Sequence, residues 1–166
     1  MSTWPTNFSK EEFERSTLAT RYGIDNTIPP ELIPNALQTA QWCQTLRNKL
    51  SVDRGQDTPL YFSSAYRSPR LNKKARGSKT SVHMKALAID AHAVGMKPRE
   101  LFLFIYRNMK AEGWDQLILE HNRWVHVGLR PKGVQMRGEC LAASYKKTLT
   151  GKVKTIYSRV NPEVMT

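Results

Sequence analysis

The spacing of apolar and polar positions predicts helices in the first third of the chain. Ser9 followed by Glu12 is the pattern of a capping box, so a first helix is predicted to start there and to end near Gly23. A second helix is predicted over residues 31–50, because apolar residues recur there at helical intervals along one face. These residues are Ile33, Leu37, Ala40, Leu46 and Leu50.

The rest of the chain is typical of a strand-rich region with one helix. Runs of β-branched, aromatic and other apolar residues, bounded by polar or turn residues, predict strands. The predicted strands cover residues 59–66, 86–90, 115–120, 123–128, 140–145 and 154–160. A helix is predicted from Pro98, since proline suits a first helical turn, to about Ala111. His121 and Asn122 alone separate two of the strands, which is the length of a hairpin connection.

Helices followed by strands predict an α+β fold with a central antiparallel sheet. At 166 residues the chain is expected to form a single domain. No apolar run approaches the roughly 20 residues of a membrane-spanning helix. The N-terminus lacks the charged and apolar layout of a signal peptide, so we expect synthesis in the cytoplasm. Cys43 and Cys140 lack metal-site spacing, which favours two reduced thiols and leaves a disulfide as the alternative.

The net charge of +12 indicates an anionic partner. Six basic residues and no acidic ones lie in residues 67–79, and eight basic against two acidic residues lie in residues 129–166. A field of this sign favours nucleic acid, an anionic membrane surface or an anionic cell wall. The basic residues do not form a helix-turn-helix or zinc-finger pattern, so specific nucleic-acid binding is not expected.

Two histidines and an aspartate form a candidate zinc-binding set. His83 lies in a polar stretch predicted as a loop, Asp90 ends a short apolar strand, and His126 lies within another strand. Two imidazoles and one carboxylate, with a fourth position open, are the donor set of a catalytic zinc site. On one continuous helix His83 and Asp90 would lie about 10.5 Å apart, so a loop that turns into a strand is needed. The site also requires the strands of Asp90 and His126 to be neighbours, and His92, on the same face as Asp90, is an alternative ligand.

Hydrolysis at such a site needs a proton acceptor and a cation near the developing oxyanion. Glu120 is the candidate base, because a hairpin places its carboxylate beside His126. His121 is the rival base, or a hydrogen-bonding group for the substrate. Arg67 is the candidate cation. Each residue alone also has an ordinary structural explanation, such as an ion pair between Glu120 and Arg123.

Five short segments, in this order along the chain, resemble the zinc D-Ala-D-Ala carboxypeptidase family. The segments are Ser64-Ala65-Tyr66-Arg67-Ser68-Pro69, Ser81-Val82-His83, Ala88-Ile89-Asp90, Trp114-Asp115-Gln116-Leu117-Ile118-Leu119-Glu120 and Trp124-Val125-His126-Val127. That family shares a Hedgehog-like fold and includes many phage endolysins. The likeness covers about residues 8–129 and leaves the basic residues 130–166 as an extension.

The resemblance implies a central antiparallel sheet with helices packed on one side. The site residues that it implies are the zinc ligands His83, Asp90 and His126, the base Glu120, the arginine clamp Arg67, and Ser81 and Gln116 as substrate-facing or ligand-supporting positions. Two positions depart from the family pattern. Ala86 stands where many members have glycine, and Arg123 stands where some relatives carry the catalytic acid, three positions before the last histidine.

The implied function is a zinc-dependent peptidase that cleaves stem or cross-link peptides of peptidoglycan. We expect a monomeric phage lysis enzyme that is made in the host cytoplasm, acts on the cell wall after release, and contacts anionic envelope polymers through its basic surface. The alternative is a non-catalytic, zinc-stabilised wall-binding or virion protein on the same fold. The residues leave open whether an L-Ala-D-Glu, a D-Ala-diaminopimelate or a terminal D-Ala-D-Ala bond is cut, and whether the enzyme is an endopeptidase or a carboxypeptidase.

Overall fold

The computed structural model describes residues 3–165, and its centre is a six-stranded sheet. The strands are β1 Leu60–Ser64, β2 Ala88–Ala93, β3 Gln116–Glu120, β4 Trp124–Gly128, β5 Glu139–Lys147 and β6 Val153–Arg159. The α-helices are α1 Lys10–Glu14, α2 Thr17–Tyr22, α3 Ile33–Arg54, α4 Pro69–Lys74 and α5 Pro98–Asn108, and short 3-10 turns cover Pro30–Leu32, Val82–Lys85 and Pro162–Val164. Across the sheet the strand order is β1-β2-β4-β3-β5-β6. The predicted α+β class is therefore confirmed.

The N-terminal helix begins where it was predicted but is interrupted. The Ser9 hydroxyl accepts from the Glu12 amide, and the Glu12 carboxylate accepts from the Ser9 amide at 2.9 Å, which completes the capping box. The prediction of one helix up to Gly23 was wrong, because the backbone is extended at Arg15. Ser16 then caps a second helix by accepting from the Ala19 amide, a local side-chain bond that competes with helix continuation. This second helix ends at Gly23, whose φ of 56° is left-handed.

The strands alternate between a core face, which α3 and α5 cover, and an open face that borders the cleft. Buried apolar residues of β2, β3 and β4 pack in one cluster with α3 and α5. They are Ile89, Ala91, Leu117, Leu119, Val125 and Val127. Because side chains alternate along a strand, Asp90, Glu120 and His126 project from the opposite face. The apolar alternation thus places Asp90, Glu120 and His126 together on the face opposite the core.

Strands β2 and β4 are neighbours, as the candidate zinc set requires. They pair antiparallel, and Asp90 lies directly opposite His126. The predicted bounds differ in detail, since β2 begins at Ala88 and Ala86 instead ends the preceding 3-10 turn. Ala86 has a φ of 55°, a left-handed conformation that costs a residue with a Cβ about 1–2 kcal/mol.

The connection between β3 and β4 is a hairpin, as predicted, but its loop is one residue longer. Pairing ends at Glu120 opposite Trp124, which leaves His121, Asn122 and Arg123 in the turn. The φ angles of His121 and Asn122 are 51° and 54°. The two consecutive positive φ angles are typical of a tight hairpin turn that follows the twist of its strands.

The two predicted C-terminal strands extend the sheet beyond β3. Strand β5 pairs with β3 over residues 139–143, and β6 pairs antiparallel with β5 to form the sheet edge. The β3–β5 pairing is parallel, so the expectation of a purely antiparallel sheet was wrong at this one ladder. No helix within residues 3–165 has the length and apolar character needed to cross a membrane.

Candidate metal centre

Three donor atoms converge on the open face of the sheet. His126 Nδ1 lies 2.9 Å from Asp90 Oδ1, and His83 Nε2 lies 3.3 Å from the same oxygen. The two imidazole nitrogens are 3.2 Å apart. Donors about 2.0–2.1 Å from a tetrahedral zinc lie about 3.3 Å from one another, so the observed spacings fit a zinc ion. Within residues 3–165 this is the one group of three or more such side chains close enough to share an ion.

The peptide carbonyl of Ala65 fixes the ring of His83. His83 Nδ1 lies 2.6 Å from the Ala65 oxygen, and since a carbonyl only accepts, the ring nitrogen carries the proton. Nε2 then presents its lone pair to the donor group. The 3-10 turn Val82–Lys85 buries the ring, whose residue is 2% exposed. A metal-binding histidine with its other nitrogen bonded to a carbonyl is a common arrangement, because the bond fixes both tautomer and orientation.

Arg67 orients the Asp90 carboxylate by binding the oxygen that the two histidines do not contact. Arg67 Nη2 donates to Asp90 Oδ2 at 2.7 Å, which leaves Oδ1 for the two histidines. Arg67 Nε donates to Ser64 Oγ at 2.7 Å, and the Arg67 amide donates to the His83 carbonyl at 3.1 Å. The arginine therefore connects the end of β1 to two of the three donor residues.

Electrostatics keep the donors in the forms that bind a metal. Burial raises the pKa of Asp90, but the neighbouring imidazoles of His83 and His126 outweigh it and hold that pKa well below its usual range. For His83, burial lowers the pKa more than the neighbouring Asp90 raises it. An ionised carboxylate beside a neutral imidazole is the protonation state that metal binding requires.

Replacing Arg67 with alanine should weaken zinc binding roughly 10–100-fold, the usual cost of losing a group that orients a ligand. Without the guanidinium, Asp90 Oδ2 loses its partner and the carboxylate can rotate away from the histidines. Competition with a chromophoric chelator measures the affinity. Arg70→Ala, on the exposed side of α4, is the control and should bind zinc like the wild type. Equal affinities in the two variants would exclude the orienting role.

A cleft of about 970 Å³ opens beside the three donors. Glu120 and Tyr157 both line this cleft, and Glu120 is 9% exposed. Burial raises the pKa of Glu120, while the charge of His126 opposes the rise. Glu120 thus lies on the same sheet face as the metal ligands. Its burial there brings the pKa of its carboxyl group closer to neutral pH.

The three predicted substrate-facing residues all line this cleft. Ser81 is half-buried at the start of the 3-10 turn, and Gln116 Nε2 donates to Glu139 Oε2 at 2.7 Å. His121 stacks on the ring of Tyr145 with centroids 3.8 Å apart, and burial lowers its pKa. Its Nε2 is 3.9 Å from Glu120 Oε2, which is beyond hydrogen-bond distance.

His92, the alternative ligand, lies outside the donor group. Its ring stacks on Tyr61 at 4.7 Å, and its Nε2 lies 3.3 Å from Ser63 Oγ, on the β1 side of Asp90. Asp90 and His92 share a strand face, as predicted, but the register pairs His92 with Tyr61 of β1.

Several cleft residues come from β5 and β6 and were not predicted as site residues. They are Glu139, Leu141, Tyr145, Tyr157 and Arg159. Alternation along residues 154–160 places Tyr157 and Arg159 on one face. The sequence alone does not predict that this face borders the cleft, because that depends on the parallel pairing of β5 with β3.

Both cysteines are free thiols, as favoured from their spacing. Cys43 is buried in α3, where burial raises the pKa of its thiol, and Cys140 is partly buried in β5. Neither belongs to the donor group.

Comparison with known proteins gives a family match over most of the chain. Residues 6–128 match the family model described as Peptidase M15. The matched range holds the three donors, Arg67 and Glu120, and it ends at the last residue of β4, before β5 and β6. The search of curated proteins found no match.

Proposed function

This chain belongs to the Peptidase M15 family, the zinc D-Ala-D-Ala carboxypeptidase family, and we propose that it is a phage lysis enzyme that cuts stem or cross-link peptides of peptidoglycan. Membership makes it a metallopeptidase of a zinc-dependent family whose substrates are peptidoglycan peptides. The observation that carries the proposal is the donor group of His83, Asp90 and His126 beside a buried carboxylate in one open cleft. We also propose that the protein is made in the host cytoplasm and reaches the wall after release.

The chain's own residues supply binding, orientation and proton transfer. When bound by His83, Asp90 and His126, zinc supplies Lewis-acid polarisation of the scissile carbonyl. Glu120 takes a proton from the attacking water and returns it to the leaving amine, and its burial suits both steps because a raised pKa lies nearer the working pH. The contacts of Arg67 support an orienting role toward Asp90, and its action on the oxyanion stays a prediction.

Substrate contacts are proposed on two sides of the cleft. Ser81 lies on the wall formed by the loop before His83, while Gln116 and His121 lie at opposite ends of β3. A peptide crossing the donor group between these walls would meet hydroxyl, amide and imidazole groups. These are hydrogen-bonding groups suited to a peptide backbone and its carboxylates.

The basic hairpin β5–β6 is proposed to bind anionic envelope polymers. Lys146 lies directly opposite Lys154, and no acidic residue lies between Glu139 and Glu163. Changing Lys146 and Lys154 together to glutamine should lower the fraction bound to purified cell walls severalfold at low salt, with less effect at high salt because exposed charges are screened.

Cosedimentation with cell walls measures that binding, and turnover of a soluble stem peptide should stay at the wild-type level. The matched control changes Lys85 and Lys132, which are exposed elsewhere on the surface, to glutamine. If both double variants lose binding equally, the net charge and not the hairpin is responsible.

Digestion of purified peptidoglycan tests the proposed function. The chain is incubated with peptidoglycan as zinc-loaded protein, after a chelator, and after zinc is restored, and the released fragments are identified by mass. We expect a single type of fragment that disappears with the chelator and returns with zinc, and its mass identifies the bond that is cut. Absence of any fragment from protein that holds one zinc per chain would favour the non-catalytic wall-binding alternative.

A further inference from the structure

We propose that Tyr157, on the edge strand β6, is a positioning residue for Glu120 and makes the C-terminal hairpin part of the active site. The inference rests on the proposed function, in which Glu120 is the base. Tyr157 lies 29 residues beyond residue 128, where the family match ends. The residue therefore lies outside the part of this chain that the family model matches.

Strand register places Tyr157 and Glu120 in one row across three strands. Glu120 of β3 lies beside Ala143 of β5, and Ala143 lies beside Tyr157 of β6. Residues in such a row point to the same face, and neighbouring strands lie about 4.8 Å apart. The gap between Glu120 and Tyr157 is therefore about two strand spacings, which a tyrosine side chain bridges only if the residue between them is small.

Ala143 provides that small residue. Its side chain is a methyl group, 6% exposed, so the phenol can extend over it toward the Glu120 carboxylate, and both residues line the cleft. His121 Nε2 lies 3.9 Å from this carboxylate, beyond hydrogen-bond distance. The donor that we assign to this carboxylate thus comes from a strand that the family match does not contain.

The bond matters because Glu120 is buried among opposing charges. Burial raises the pKa of Glu120, His126 lowers it, Asp90 raises it, and Tyr157 and Arg67 lower it. A carboxylate that is 9% exposed has few water molecules to hold its rotamer or its charge. Tyr157 therefore supplies the donor that keeps Glu120 ionised and directed along the cleft.

The test compares Tyr157→Phe with Tyr61→Phe. Both substitutions remove one phenol oxygen on the open face of the sheet, but Tyr61 stacks on His92 and lies outside the cleft. In zinc-loaded protein acting on a soluble stem peptide, we expect Tyr157→Phe to lower kcat roughly 10–100-fold with an unchanged KM, as for a lost hydrogen bond to a charged group. The acid limb of the kcat profile should move to higher pH, because removing the donor raises the pKa of Glu120. Tyr61→Phe should match the wild type in kcat, in KM and in the position of the acid limb.

Two results would overturn the proposal while leaving the peptidase function in place. One is a wild-type kcat and acid limb in Tyr157→Phe. The other is a raised KM with unchanged kcat, which would make Tyr157 a substrate contact. If the wild type itself fails to cleave, the proposed function fails, and carboxyl-carbon NMR titration of Glu120 still decides the inference. A higher Glu120 pKa in Tyr157→Phe supports the bond, and an unchanged one excludes it.

Discussion

Replacing His126 with alanine is expected to remove stoichiometric zinc binding and to reduce peptidoglycan cleavage to the level of metal-free protein. The substitution deletes one of three donors, and a carboxylate with one imidazole is an incomplete set for a catalytic zinc site. His126 suits the experiment because its side chain is the most exposed of the three. Metal analysis of the dialysed protein and fragment release from peptidoglycan measure the two effects.

The matched control is His92→Ala, the same change on the same sheet face. His92 stacks on Tyr61 and lies outside the donor group, so this variant should retain both zinc and activity. A His126→Ala protein that keeps one zinc per chain would show that the ion is held elsewhere. His83→Ala is a less suitable variant, because His83 is buried and bonded to Ala65, so unfolding would also release zinc.

Glu120→Gln is expected to lower kcat by about 10²–10⁴-fold while leaving the zinc content unchanged, because an amide cannot accept and return the proton. The substitution preserves the size of the side chain and its place beside Tyr157, so folding should be little affected. Initial rates on a soluble stem peptide and metal analysis of the same preparation measure the result. Loss of turnover with zinc retained separates the base from the metal ligands.

Glu112→Gln is the control for this prediction, because Glu112 pairs with Lys49 outside the cleft. Its activity should equal that of the wild type. Full activity in Glu120→Gln would contradict the assignment and make His121, the remaining candidate, the residue to replace next. If the wild type shows no activity, and if the wild type and Glu120→Gln bind cell walls equally well, the non-catalytic alternative is indicated instead.

The donor group could be predicted because local patterns carried most of the information. Asp90 and His126 each lie in a strand whose apolar alternation fixes the open face, and His83 lies just before one of these strands. The remaining requirement, adjacency of β2 and β4, was a single condition that the structure meets with Asp90 opposite His126. The core face of these strands could be predicted from the same alternation of apolar and polar residues.

Features that depend on distant pairing or on competing local bonds could not be predicted. The parallel ladder between β3 and β5 joins segments separated by 18 residues between Glu120 and Glu139, and no turn signal specifies its direction. Tyr157 enters the site only through that ladder. At the N-terminus, Ser16 caps α2 and so separates it from α1. The apolar spacing fits one continuous helix as well as two short ones.

The contacts of Arg67 illustrate the same limit at the site itself. Its position after β1 predicted a cation near the donors, and the cation is there. Its partner depends on the tertiary geometry, which aims Nη2 at Asp90 Oδ2. A charge near a site can be predicted from sequence more readily than the atom it contacts.

The most direct test of the central claim is a crystal structure of the zinc-loaded protein with anomalous scattering recorded at the zinc edge. We predict one zinc peak bonded to His83 Nε2, Asp90 Oδ1 and His126 Nδ1, with Arg67 still donating to Asp90 Oδ2. A zinc peak bonded instead to His92, His121 or a cysteine, with these three atoms unbound, would contradict the account.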